Sequence, residues 1–162
     1  MKRILLIGLA VLVGGFLLIQ LVPYGRNHTN PPVLNEPDWD SSETRALAQR
    51  ACFDCHSNQV VWPWYSNIAP VSWLVQRDVD EGREHLNFSD WDATLAHWED
   101  HDVGEEMAET IHEGEMPLPI YLITHPEARL TNAEKTALAN GLFATGGGSS
   151  EAKEREEEED DD

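Results

Sequence analysis

Cysteine occurs only at Cys52 and Cys55, and the run Cys52-Phe53-Asp54-Cys55-His56 sets a histidine directly behind the second thiol. This is the C-x-x-C-H spacing of c-type haem attachment. On one turn of helix, cysteines three apart project to the same side. Both thiols can then add to the two vinyl groups of a single porphyrin, with His56 beneath the iron as proximal ligand. Three other uses of the pair fit less well. A redox dithiol normally stands in a βαβ context that this chain lacks. A zinc site needs a second closely spaced ligand pair, and a disulfide across so short a loop would be strained. The pattern therefore predicts one covalently attached haem c with its iron, bound by Cys52, Cys55 and His56.

An iron held by His56 needs a sixth ligand or an open position. The chain offers Met107, Met116 and the histidines His85, His97, His101, His112 and His125, while His28 falls in the N-terminal spacer. Met116 leads them. In Gly114-Glu115-Met116-Pro117-Leu118-Pro119 the prolines stiffen a loop that could hold a thioether against the metal without the register of a helix. A thioether favours ferrous iron and raises the potential, which suits electron carriage; the ordinary alternative is that Met116, like Met107, packs in the core. Aromatic residues gather near the motif at Trp62, Trp64 and Tyr65, and again at Trp73, Trp91 and Trp98. Such rings wall a flat porphyrin or fill an ordinary core, and either use places them inside.

These residues must be positioned by the elements around them. Lys2 and Arg3 precede an apolar run from Ile4 to Val22 interrupted by Gln20, and as a helix it spans about 28 Å, enough to cross a bilayer. It is long for a signal peptide and lacks a clean cleavage site, so residues 1–26 read as a membrane anchor in preference to a cleaved signal segment. The two leading bases predict a single pass with the N-terminus inside, which puts the haem domain on the periplasmic side of a bacterial inner membrane. Residues 27–40 contain Pro31, Pro32 and Pro37 and predict an extended spacer that holds the domain off the membrane.

Residues 41–145 read as one small all-α domain. A first helix capped by Ser41 or Ser42 leads to Cys52; a second runs from Val71 to Arg83, its end weakened by Gly82; a third passes through Trp91, Leu95 and Trp98. The stretch from Val103 to His112 continues or restarts it after Gly104. Thr131 and Glu134 form a capping box for the last helix, through Leu138 to Phe143. Residues 146–162 then read as a disordered acidic tail.

The chain has 162 residues and a net charge of −19, from 11 Lys+Arg against 30 Asp+Glu. So acidic a surface repels nucleic acid, which is excluded as a partner. The expected partners are the membrane, through the N-terminal helix, and an unidentified redox protein. Four further stretches stand out: Trp62-Pro63-Trp64-Tyr65-Ser66-Asn67-Ile68-Ala69-Pro70, Leu86-Asn87-Phe88-Ser89, Met116-Pro117 and His125-Pro126-Glu127-Ala128. With the C-x-x-C-H run and Gly82-Arg83, they resemble the bacterial haem-binding domain family related to cytochrome c, over about residues 33–143. The resemblance implies a small cytochrome c-like helical fold, covalent haem on Cys52 and Cys55, axial ligation by His56 and a distal position matched by Met116. The sequence departs from it at Gly141-Leu142-Phe143, where a tryptophan is expected, so the packing of the last helix on the first is the point to check. The function expected is one-electron transfer at the outer face of the cytoplasmic membrane, by a carrier and not an enzyme. The alternative is a haem enzyme of peroxide chemistry, or a gas or redox sensor, with a displaceable distal ligand.

Overall fold

The computed structural model describes residues 1–99 and 101–147, and among these it is all-helical, with one isolated bridge between Asn35 and Asp90 and no strand. Helix α1 (Lys2–Ile19) has no buried residue and is long and apolar enough to cross a membrane. Helix α2 (Ser42–Ala51) starts where Ser41 accepts a hydrogen bond from Thr44 N, which decides between the two predicted caps. The chain bends at Cys52 and turns once more as α3 (Phe53–His56). Helix α4 (Val71–His85) runs past the predicted end at Arg83, and its Gly82 is buried inside the helix instead of fraying it.

Helix α5 (Trp91–His97) is capped by Asp90, and α6 (Val103–His112) is a fresh start, because Asp102 accepts hydrogen bonds from the N–H groups of Gly104 and Glu105. After the short α7 (Tyr121–Thr124), α8 (Asn132–Thr145) opens on the complete capping box of Thr131 and Glu134. Leu47, Ala48 and Ala51 of α2 share one buried cluster with Met107 and Ile111 of α6 and Leu138, Ala139 and Leu142 of α8. Arg50 and Glu134 form an ion pair between α2 and α8. The last helix therefore packs on the first without the expected tryptophan.

Residues 27–40 form no helix or strand, and they lie along the domain. Asn30 Nδ2 donates to Val60 O at 2.9 Å and Leu34 N to Ser89 O at 2.8 Å. Trp39, inconspicuous in its proline-rich run, packs its ring 6.1 Å from Phe53 and 5.0 Å from Phe88. The other tryptophans divide. Trp91 is buried, Trp62 and Trp73 are half-buried, and Trp64 is 76% exposed, so the expectation that all of them face inward is corrected. The cause is local. A 3₁₀ turn over Trp64–Asn67, entered from Pro63, directs Trp64 outward, and Trp62 stacks on His28 at 4.6 Å instead of joining the core. The predicted acidic tail from residue 148 onward lies outside the described residues.

Candidate functional site

The turn that carries the C-x-x-C-H run, the predicted attachment turn, is built by the main chain. Cys52 O accepts from both Cys55 N (3.1 Å) and His56 N (2.9 Å), which closes α3 and brings both thiols to one side. The two cysteines are not joined to each other. They open into a cavity of about 510 Å³ whose walls are mostly apolar, among them Leu86, Val103, Ile111, Leu118 and Leu142. The same cavity is lined by His56 and Met116, so all four predicted site residues meet there. Met107 and His85 also line it, whereas His97, His101, His112 and His125 do not. Among the predicted aromatic walls Trp98 is present and Trp62, Trp64, Trp73 and Trp91 are absent; Phe88 and Tyr121, which carried no such prediction, take part.

His56 is held from behind. Its ring Nδ1 lies 3.0 Å from Gly82 O and 3.1 Å from Leu86 O. Carbonyl oxygens only accept, so Nδ1 carries the proton and donates to them, which leaves the lone pair on Nε2. Burial holds the imidazole pKa below its ordinary value and keeps the ring neutral. His56 O in turn accepts from Phe88 N at 2.8 Å. Gly82 is required at this crossing: a Cβ there would stand 2.7 Å from Cys55 O, so any side chain would push α4 off the attachment turn.

Burial also pushes both thiols up to about 12, with Cys55 adding to the effect at Cys52, and the carboxylates of Asp78 and Asp54 adding at Cys55. At neutral pH they stay protonated, the opposite of the lowered thiol that dithiol exchange requires. Between them, Asp54 accepts from Val61 N (2.9 Å) through one oxygen and from the Tyr121 hydroxyl (2.8 Å) through the other. Tyr121 stacks on His125 at 3.9 Å, and burial pushes its hydroxyl above the ordinary phenol range. This clip ties the attachment turn to the segment that follows the Met116 loop. The sequence hid it, because Asp54 occupies a variable place in the motif and Tyr121 lies in a stretch without periodicity. The loop itself hangs from the end of α6, where Thr110 O accepts from Glu115 N (3.0 Å) and Met116 N (3.2 Å).

A haem-binding domain family matches residues 14–144, most of the chain. The chain belongs to that family. No curated protein and no solved structure matches it. Haem suits the cavity of this haem-binding domain on its own terms. The volume lies within the range of about 300–1,000 Å³ usual for cofactor pockets, the walls are apolar, and an unprotonated imidazole nitrogen stands at the edge.

Proposed function

We propose that this haem-binding domain carries one haem c, joined by thioethers to Cys52 and Cys55 and ligated by His56 and Met116. It would work as a one-electron carrier at the outer face of the cytoplasmic membrane. The reading is supported by the convergence of two thiols, an imidazole and a thioether on a single apolar cavity. Cys52 and Cys55 would hold the group by addition of each S–H across one vinyl C=C, sulfur to the inner carbon and hydrogen to the terminal carbon, with nothing leaving. Such addition requires free thiols, and Cys52 and Cys55 are not joined to each other.

Once bound, haem supplies a single reversible one-electron centre. The protein does the rest. The carbonyls of Gly82 and Leu86 fix the His56 ring and raise its basicity as a ligand. The loop from Thr110 offers Met116, whose soft sulfur favours the ferrous state. Apolar side chains form most of the wall. The outer face is supported by α1 with Lys2 and Arg3 at its start, the arrangement that keeps an N-terminus inside.

The test is expression of the full chain in a bacterium with haem-attachment machinery, followed by visible spectra before and after acid-acetone extraction and on adding carbon monoxide. Colour that resists extraction is expected, and colour that washes out refutes thioether attachment. Reduced protein that ignores carbon monoxide supports a closed carrier. Ready binding would replace that reading with the enzyme or sensor.

A further inference from the structure

All 30 acidic residues lie at or beyond Glu36, and none falls between positions 55 and 77. The fold brings these two acid-free segments together. Just past α1, the Gln20 side chain pairs with the backbone of Ala69 as a second peptide would: Nε2 donates to Ala69 O at 2.8 Å, and Oε1 accepts from Ala69 N at 3.0 Å. Arg26 Nη2 donates to the same Oε1 at 3.0 Å. Gly25, at φ +76°, lies so close to the chain that a Cβ would come 2.3 Å from Ser72 O. The family match begins at residue 14, inside α1, so this junction belongs to the matched unit. The anchor is bolted to the domain at the start of α4, with no free linker between them.

Around that junction the domain exposes apolar side chains: Trp64 is 76% exposed, Val71 42%, Leu74 38% and Ile68 36%. Single exposed apolar residues are normal on a soluble surface. Here they fall within a few residues of Ala69, in segments stripped of carboxylates, beside the exit of a membrane-spanning helix. Tryptophan is enriched at the boundary between lipid and water, and an anionic headgroup layer repels carboxylates and attracts bases such as Arg26 and Arg77.

We propose that the domain sits directly on the bilayer at the C-terminal end of α1, in one fixed orientation, with Trp64, Ile68, Val71 and Leu74 in the headgroup layer. The inference rests on α1 spanning the membrane and is independent of how haem is held. It replaces the expected spacer that holds the domain away from lipid. The same helix that touches the bilayer then packs against the Cys55 turn at Gly82, about 16 Å along α4 from Val71.

The experiment uses the full chain in vesicles of phosphatidylcholine and phosphatidylglycerol. A photoreactive benzophenone side chain is placed at position 64, at 71 or, as control, at 95. Leu95 is 43% exposed but lies toward the far end of α4, where its neighbour Thr94 accepts from Asn87 N at 2.9 Å. Lipid adducts are expected at 64 and 71 and not at 95. Each sample is also washed with alkaline carbonate. Protein retained in the membrane without adducts overturns the seating alone, whereas release from the membrane overturns it through the spanning helix. Adducts to a second copy of the chain would make the face a protein interface and also overturn it. As a check with natural side chains, brominated acyl chains should quench the tryptophan emission of the wild type more than that of Trp64→Phe; equal quenching counts against the proposal.

Discussion

Replacing Gly82 by Ala decides whether α4 is pressed against the attachment turn. In an ordinary helix interior the change stabilises by about 1 kcal/mol, because alanine loses less backbone freedom on folding. Here the new methyl would stand 2.7 Å from Cys55 O and 3.1 Å from Cys55 Cβ, where ordinary contact begins at 3.4 Å. The neighbours are main chain and the root of a short side chain, so neither can swing away. Restoring contact needs α4 to withdraw by about 0.7 Å, the difference between 2.7 and 3.4 Å. Both carbonyls that accept from His56 Nδ1, Gly82 O at 3.0 Å and Leu86 O at 3.1 Å, stand at the end of α4, so the same withdrawal loosens the hold on the ring. Overpacking costs about 1–3 kcal/mol and a weakened hydrogen bond about 0.5–1.5. After the helix gain is subtracted, the variant should be less stable by about 1–3 kcal/mol. Urea unfolding in detergent measures this, and haem absorbance reports the proximal ligand in the same titration. A variant that is more stable than wild type by the ordinary helix increment would refute the packing of α4 on Cys55.

Met116→Ala should leave haem attached while admitting carbon monoxide to reduced protein and lowering the midpoint potential. Unchanged spectra and potential would move the ligand to Met107 or His85, the other candidates that line the cavity. Cys52→Ala with Cys55→Ala should leave the cavity unfilled and the chain protease-sensitive, since a group bound only in the folded state stabilises that state; cooperative unfolding with native helicity would show that the core stands without it. Tyr121→Phe removes a half-buried bond to the Asp54 carboxylate and should cost about 1–2 kcal/mol by urea midpoint, whereas no loss would mean that the clip carries no load. Glu134 is held at about 2, first by Arg50 and then by Thr131, against an ordinary 4.5. A depressed carboxylate contributes stability above its unfolded pKa and loses it as pH falls through the folded one. The stability gap between wild type and Glu134→Gln should therefore be constant above pH 4.5 and close as pH approaches about 2; a gap independent of pH would place the effect elsewhere.

That Cys52, Cys55 and His56 share one cavity was legible because the C-x-x-C-H spacing keeps them close in sequence as well as in space. The helix starts at Ser41 and Thr131 were legible because these side chains satisfy N–H groups within a few residues, whereas the cap at Asp102 was not singled out and decides only in the structure that α6 starts afresh. What escaped depends on distant pairings. Trp39 lies in a proline-rich stretch that reads as spacer, and only the partners Phe53 and Phe88 make it core. Gly82 reads as a weak helix end until Cys55 is placed against it. Trp64 has the composition of an inward residue, and its exposure follows from the turn at the anchor junction, which local pattern does not reveal.

Charge is partitioned along the molecule in a way that bears on the potential of the proposed carrier. The carboxylates missing from the junction reappear at the cavity, where Asp54, Asp78, Glu81 and Glu106 contribute to the lining. Negative charge near an iron centre stabilises its more positive, ferric state, and the carbonyls behind His56 act in the same direction by making the imidazole a stronger donor. A Met116 thioether acts the other way. Removing the methionine would thus leave only influences that lower the potential, whereas neutralising a cavity carboxylate would raise it. For the proposed carrier the same carboxylates would favour a partner with a basic patch, which would gain association rate from attraction, and added salt should slow that encounter.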